Sequence, residues 1–464
     1  MEDRRMSPNS REPSEQEIEA LRESLLNGGF GEEACEDSAE EADFAREDDE
    51  AVKRFKAMFG AKGPTPLKGY DWRADVPGSM LDSGVYGPIH GILREETQSV
   101  YVFDSPVAGG VIGWIYGGND EGAPAIPAGE NGLFVEGSYE QGELTLRLGH
   151  LSAGEMLPGA PRQLASYDPI RIKPYDFVKR LFSRNKGLLE SDSMMNSCAV
   201  LVGCGSVGSF AAMELARSGV GRFVLCDTDT FEFHNICRHQ CGSNDLGRYK
   251  VDAVRDKILN INPNAAVITF RSPIQRVPEE ELLPYLGRGT VILGGGDNRA
   301  SADWACKLAI RTDSTFVAAG CWTRAFAGEL FYWQSGHHLS CYSCALGGLI
   351  DDERPESHDT YFGSDKEQES LAFEPGIAAD IDFVTVIAVK LALDLLNRDN
   401  PDYTPRVMDY LRQYTWICNT NSTKIGGERA AIFSHPLQIT HNLSVHHDPH
   451  CPWCGDGKQE EKTV

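Results

Sequence analysis

One stretch, Cys198–Asn235, constrains the fold of this 464-residue chain more than any other. An apolar run, Ala199–Val202, leads into a GxGxxG loop, and apolar residues then recur at helical spacing before a second apolar run, Phe223–Cys226, ends in Asp227. The loop glycines are Gly203, Gly205 and Gly208. In such a strand–helix–strand unit the glycines admit a phosphate chain, the helix start offers N–H groups, and the acid binds ribose hydroxyls. The stretch therefore predicts a nucleotide-binding α/β fold.

Four further elements follow in a fixed order. They are Asp227-Thr-Asp229, Asn235-Ile-Cys-Arg238, Lys250 after a short glycine-containing turn, and Asn262-Pro263. This series resembles the adenylating enzymes that activate ubiquitin and the related ThiF/MoeB proteins, whose shared pattern is DxD, NxxR, a lysine and NP. Four linked elements are far more specific than GxGxxG alone.

The resemblance implies a role for each matching residue. Gly203, Gly205 and Gly208 would pack against ATP, Asp227 would accept hydrogen bonds from the ribose, and Asp229 would support the loop. Asn235, Arg238 and Lys250 would surround the phosphates, where the lysine and the arginine would offset the charge that develops in the transition state. Asp297, followed by Asn298, matches the magnesium-binding aspartate.

Two arginine positions are less regular. The family often has an arginine five residues after the position of Asp297, where this chain has Ala302, with Arg299 nearer. Many members also carry an arginine before the first nucleotide-binding strand, which reaches across a dimer to ATP. Arg184 is the first candidate for that role and Arg180 the second; the alternative is that both are solvated surface residues. The resemblance thus implies a homodimer.

Two CxxC pairs predict a metal site. Cys341 and Cys344 form one pair and Cys451 and Cys454 the other, and four thiolates suit tetrahedral zinc. Zinc-bearing members of the family place their pairs in the same two regions. We expect structural zinc that pins the C-terminal segment to the body, with His446, His447 and His450 as bystanders.

A thioester cysteine is missing where much of the family has one. The corresponding stretch, Ser370–Gly376, has Ala372 near that position. Three explanations stay open: the chain stops at the adenylate, the thiol comes from elsewhere, or an alanine replaces a natural cysteine. Cys237 and Cys241 lie near the nucleotide loop, and we expect both to be small core residues.

Charge and composition exclude several functions. A net charge of −25 argues against binding nucleic acid or anionic membranes, which requires a positive footprint. The longest apolar candidate, Phe383–Leu396, contains Lys390 and Asp394 and is too short to span a membrane. The acidic N-terminus is unlike a signal peptide, and the 13 cysteines then indicate reduced thiols and a metal site. These features predict a cytoplasmic protein.

The chain divides into three predicted regions. Residues 1–62 are acidic and largely disordered by composition, residues 63–170 form a small β-rich domain, and residues 171–464 form the adenylation domain with its zinc site. In the middle region the isolated histidines His90 and His150 do not have metal-site spacing, and its role is either partner binding or that of a degenerate enzyme domain. In the last region we expect parallel α/β structure followed by antiparallel strands. Predicted elements there include a helix over Val277–Leu286 and a late strand over Ala430–Phe433.

The predicted function is ATP-dependent adenylation of the C-terminal glycine of a ubiquitin-like protein, for transfer to a conjugating enzyme or another acceptor. An appended domain suggests a bacterial ubiquitin-like conjugation operon. Two enzymatic alternatives stay open: activation of a sulfur-carrier protein for cofactor biosynthesis, and adenylation of a non-protein substrate such as a tRNA base, against which the acidity weighs. A nucleotide-bound scaffold is disfavoured by the intact charged residues. A dehydrogenase is disfavoured because DxD with NxxR is not a dinucleotide-binding pattern.

Overall fold

The structure is a computed structural model that describes residues 72–81, 84–104, 109–117, 133–151, 164–295, 299–347, 375–443 and 445–456. Three of the sequence predictions lie outside the described residues: the acidic region 1–62, the magnesium-binding candidates Asp297 and Asn298, and the loop that contains Ala372.

Seven strands between residues 72 and 175 form a closed barrel in the order β1-β3-β2-β4-β5-β6-β7. Parallel pairing of β1 with both β3 and β7 closes it. Alternate positions face inward, so that Ala74, Ile89 and Leu148 pack in a side-chain-filled interior. The strands are β1 Trp72–Pro77, β2 Gly87–Arg94, β3 Ser99–Phe103, β4 Gly110–Tyr116, β5 Leu133–Glu140, β6 Glu143–Leu151 and β7 Leu164–Tyr175. Strand β7 thus runs past residue 170, the predicted end of this region.

The remaining strands form one eight-stranded sheet in the order β10-β9-β8-β11-β12-β13-β14-β15. Strands β8 to β12 are parallel and β13 to β15 antiparallel, as the sequence predicted. The strands are β8 Cys198–Val202, β9 Arg222–Cys226, β10 Ala266–Phe270, β11 Thr290–Gly294, β12 Thr315–Cys321, β13 Ala327–Trp333, β14 Tyr414–Cys418 and β15 Gln438–Leu443.

Helices cover both faces of the sheet and create two hydrophobic cores. One face packs against α3, α4 and the long apolar α8, and the other against α6 and α7. In order the helices are α1 Phe177–Leu181, α2 Ser191–Asn196, α3 Ser206–Arg217, α4 Lys250–Ile261, α5 Glu279–Leu282, α6 Arg299–Thr312, α7 Tyr342–Leu346, α8 Ala378–Leu396 and α9 Thr423–Gly426. In the part of the chain that the structure describes, none of these helices has the length and apolar character needed to cross a bilayer.

Two predicted elements differ from the structure. The strand predicted over Ala430–Phe433 is wrong, because Gly427–Ile432 is a 3-10 helix that still buries Ala430. The helix predicted over Val277–Leu286 is reduced to α5 and a 3-10 turn, Leu283–Tyr285, since Pro284 cannot continue an α-helix.

Candidate functional site: a glycine loop, a charged sheet edge and a four-cysteine cluster

The three loop glycines have different backbone conformations and surroundings. Gly203 has φ +95°, a conformation that favours glycine. A Cβ on Gly208 would lie 2.0 Å from the carbonyl oxygen of Gly203, so only glycine lets α3 approach the end of β8 so closely. Gly205, which caps the N-terminus of α3, faces open space and has an ordinary φ of −75°. Packing within the fold therefore does not require a glycine at position 205.

Asp227 ties the end of β9 to the glycine loop. One carboxylate oxygen accepts the backbone N–H of Cys204 at 2.6 Å, and the other accepts the N–H of Asp229 at 2.8 Å. The carboxylate predicted to bind ribose thus lies directly beside the phosphate-binding candidates. Its contacts also fix the position of the loop.

His239 holds the same loop from the other side, and sequence reasoning missed it. Its Nε2 lies 2.7 Å from the carbonyl oxygen of Cys204, and its Nδ1 accepts the N–H of Cys241 at 3.0 Å. Since Nδ1 accepts, the proton is on Nε2 and is donated to Cys204. The ring is buried against Phe231, and burial lowers the pKa of His239 to about 4. Its position directly after Arg238 in the NxxR motif was the signal available in the sequence.

Lys250 and Asp229 form an ion pair at the carboxyl edge of the sheet. The Nζ of Lys250 lies 2.8 Å from Asp229 Oδ2, and the Lys250 N–H donates to the Asp229 carbonyl at 2.9 Å. The hydrogen bond from Lys250 lowers the pKa of the Asp229 carboxyl. This contact holds a buried positive charge at the N-terminus of α4.

The NxxR segment forms a short turn. The Asn235 Oδ1 accepts the N–H of Glu232 at 2.9 Å, and its carbonyl accepts the N–H of Arg238 at 3.1 Å. Both motif residues are half-buried. In this arrangement Asn235 shapes the turn that carries Arg238.

Arg299 lies at the start of α6, immediately after residues 296–298. Its Nη2 is 3.6 Å from Oε1 of the buried Glu329. The second oxygen of Glu329 accepts hydrogen bonds from Tyr414 at 2.6 Å and from Trp322 at 3.2 Å. Arg299 is therefore paired with a buried carboxylate. This pairing makes it a weaker candidate to replace the phosphate-binding arginine that the family often has at the position of Ala302.

The two candidate cross-subunit arginines have different surroundings. Arg180 forms an ion pair with Asp75 of the barrel at 3.0 Å and lies over the ring of Tyr175 at 5.6 Å. Arg184 is exposed on the 3-10 turn Ser183–Asn185. The contacts of Arg180 favour Arg184 as the residue available to another subunit.

The four predicted metal ligands come together. All four sulfurs lie within 4.8 Å of one another, with Cys341 and Cys451 3.8 Å apart and Cys344 and Cys454 3.9 Å apart. In a tetrahedral zinc site with bonds of ~2.3 Å, sulfurs lie roughly 3.8 Å from each other. The set spans the start of α7 and the last described turn. Its donor chemistry and spacing fit zinc, and none of the described cysteines forms a disulfide.

Two other cysteines near the nucleotide loop differ from each other. Cys241 is buried, as expected, and burial raises its pKa to about 12. The expectation of a core position is wrong for Cys237, which is exposed because the 233–238 turn directs it outward. Its thiol lies 3.4 Å from the carbonyl oxygen of His234.

The fold and these residues define an open α/β-sheet protein with a glycine loop at the carboxyl edge of its sheet and a four-cysteine cluster. Residues 180–421, just over half of the chain, match the ThiF family. The chain therefore belongs to the ThiF family, as its motifs indicated.

Individual relatives differ in what they are named for. A tRNA threonylcarbamoyladenosine dehydratase of Bacillus subtilis (strain 168) is 37% identical over 108 residues, covering 22% of this chain and 42% of that protein. A ubiquitin-like modifier-activating enzyme 5 of Bombyx mori is 26% identical over 207 residues, covering 42% and 52%. A sulfur carrier protein ThiS adenylyltransferase of Escherichia coli (strain K12) is 26% identical over 164 residues, covering 35% and 62%.

The chain spans about half the length of these curated relatives. Among solved structures, a crystal structure of E. coli MccB is similar with a TM-score of 0.42 and 19% identity, covering 57% of this chain and 67% of that chain.

Proposed function

We propose that this protein activates the C-terminal glycine of a ubiquitin-like protein by ATP-dependent adenylation. The observation that carries the proposal is the convergence of the glycine loop, Asp227 and the Asp229–Lys250 pair at the carboxyl ends of β8 and β9. Open α/β sheets bind ligands at this edge, beside the point where the strand order reverses. Here the reversal lies at β8, between β9 and β11.

In the proposed reaction a carboxylate oxygen of the terminal glycine attacks the α-phosphorus of ATP. The bond from that phosphorus to the β-phosphate oxygen breaks, which yields an acyl-adenylate and pyrophosphate. Lys250 and Arg238 offset the negative charge that accumulates during the displacement. Asp297, with Asn298 beside it, is the proposed ligand of magnesium, which would neutralise phosphate charge.

The substrate class follows from charge and relatives together. A net charge of −25 opposes a nucleic-acid substrate such as the one named for the B. subtilis relative. The B. mori relative, named for activating a ubiquitin-like modifier, aligns over more of this chain, which favours a small protein partner. The second candidate is a sulfur-carrier protein, favoured by the similarity to the ThiS adenylyltransferase. A thiocarboxylate product would distinguish that function from transfer to a conjugating enzyme.

The proposal includes a homodimer and a structural zinc ion. Arg184 would complete the partner subunit's ATP site, because it is exposed just before the first strand of the sheet. Zinc would be held by Cys341, Cys344, Cys451 and Cys454, and metal binding there would couple the C-terminal segment to the folded body.

The test measures ATP–pyrophosphate exchange with a ubiquitin-like protein that ends in glycine, and with the same protein lacking that residue. Exchange is expected only with the complete protein. Lys250→Met should reduce it at least a hundredfold, since removing a single transition-state contact of this kind costs about 10²–10³ in rate. Lys257→Met is the matched control, because Lys257 lies on the same helix but pairs with Asp245.

Asp297→Ala should abolish exchange, because it removes a proposed metal ligand, and circular dichroism checks that the variant is folded. Activity of folded Lys250→Met or Asp297→Ala protein at the wild-type level would contradict the proposed site. Exchange that does not require the terminal glycine would contradict the substrate.

A further inference from the structure

Arg271 lies beside the proposed ribose site, although no motif includes it. It is the first residue after β10, and the N–H of Asp227 donates to the carbonyl of the preceding residue, Phe270, at 3.2 Å. Because β9 and β10 are adjacent and parallel, Asp227 and Arg271 leave the sheet at the same edge. Arg271 is thus placed next to Asp227, the proposed ribose ligand.

The Arg271 guanidinium is held in place at this edge. Its Nε and Nη2 donate to Oδ2 of the buried Asp252 at 3.0 and 2.7 Å. Its central carbon lies 4.4 Å from the centre of the Tyr249 ring, which is within the range of a cation–π contact. The side chain nevertheless remains 57% exposed. A planar cation is therefore fixed against one aromatic ring while much of its surface stays open.

A purely structural role for Arg271 accounts for only part of this arrangement. Asp252 has a second partner, Arg255, at 3.4 Å, so its charge does not depend on Arg271 alone. Tyr249 is itself 38% exposed and directly precedes Lys250. The two planar groups therefore lie where α4 begins, between the proposed phosphate-binding lysine and the end of β10.

We propose that Arg271, supported by Tyr249, is the stacking surface for the adenine base of ATP. A planar guanidinium stacks on the flat face of a base, and its positive charge is attracted to that face. The proposal rests on the proposed function, since it places the base of the same nucleotide. Arg271 would then contact the adenine base and make the protein bind ATP more tightly than a phosphate chain that has no base.

The experiment measures binding of magnesium-ATP and of inorganic tripolyphosphate by calorimetry to the full chain. For Arg271→Ala we expect roughly tenfold weaker binding of ATP, the size of a lost base-stacking contact. Binding of tripolyphosphate, which has no base, should be unchanged. Arg271→Lys should also bind ATP more weakly, because it keeps the charge but loses the plane.

Arg255→Ala is the matched control, since it removes another cationic partner of Asp252 and leaves Tyr249 and Arg271 in place. It should bind both ligands as the wild type does. Circular dichroism checks that each variant is folded, and Arg271→Gln provides a second variant if Arg271→Ala is not. Equal losses for ATP and tripolyphosphate would reduce Arg271 to a general electrostatic role and overturn the proposal, as would unchanged ATP binding. A wild-type protein that binds no ATP would instead overturn the proposed function.

Discussion

The buried His239 gives a prediction about acid stability whose size follows from the structure. Burial lowers the pKa of His239 to about 4 in the folded protein, against 6.5 for an ordinary histidine. The unfolded chain therefore takes up this proton first as the pH falls. The stability that the folded protein gains by keeping His239 neutral is fully present above pH 6.5 and is lost as the pH approaches 4.

A pKa difference from 6.5 to about 4 corresponds to roughly 3 kcal/mol at about 1.4 kcal/mol per unit. At pH 5 the loss should reach about 2 kcal/mol of the free energy of unfolding. In His239→Gln this titration is absent while an amide can still donate and accept. The variant starts from a lower stability, because it disturbs two buried backbone contacts. Its stability should fall by about 2 kcal/mol less than that of the wild type between pH 7.5 and pH 5.

Two measurements test this prediction. Urea unfolding of both proteins at pH 7.5 and 5 compares the change in stability, so that all other titrating groups cancel. Hydrogen–deuterium exchange at the imidazole C2 atom, read by mass spectrometry of the peptide that contains His239, reports the pKa of that ring directly. An imidazole that titrates near pH 6.5, or an equal pH dependence in the two proteins, would refute the buried neutral tautomer and its contact with the glycine loop.

Three further predictions concern the metal site, the dimer and the missing thiol. Cys344→Ser should lower zinc from about one ion per chain to almost none in elemental analysis and speed proteolysis of the C-terminal segment; metal-free wild-type protein would rule the site out. Light scattering should show a dimer at micromolar concentration. Arg184→Ala should slow pyrophosphate exchange while the protein remains a dimer, and a fully active monomer would contradict the cross-subunit role. On a non-reducing gel, Ala372→Cys should form a covalent adduct with the partner protein, and reducing agents should remove that adduct. The unaltered chain should form none; an adduct from it would contradict this prediction and make the exposed Cys237 the first residue to mutate.

Local motifs predicted the sites that depend on short stretches of chain. The glycine loop, the DxD pair and each CxxC turn are defined by residues a few positions apart. Short-range motifs could not predict that Cys341 lies beside Cys451, because the two residues are 110 positions apart in the sequence. There the resemblance to zinc-bearing proteins supplied the pairing, and the sulfur distances agree with it.

Features that depend on distant partners were not predictable from the sequence. The β-like runs at Ser99–Phe103 and Gly110–Tyr116 are strands, but a hydrophobic pattern does not reveal that β1 pairs with β3 and β7 to close a barrel. The position of His239 after the NxxR motif did not reveal its role, since that role comes from contacts with Cys204 and Cys241. The strand predicted over Ala430–Phe433 failed for a related reason, because a short buried apolar run does not distinguish a strand from a 3-10 turn.

The contacts of Cys204 explain how a glycine-rich loop can leave space on its outer side and still have a fixed backbone. Glycine raises the conformational freedom of the unfolded chain, which would by itself leave a loop poorly ordered. Here the N–H of Cys204 is bound by Asp227 and its carbonyl by His239, so both polar groups of the residue between two loop glycines are fixed. Gly208 then sets the distance from the loop to the helix, and Gly205 leaves its outer side open. The contacts that order this loop thus come from Asp227 and His239, which lie on either side of it.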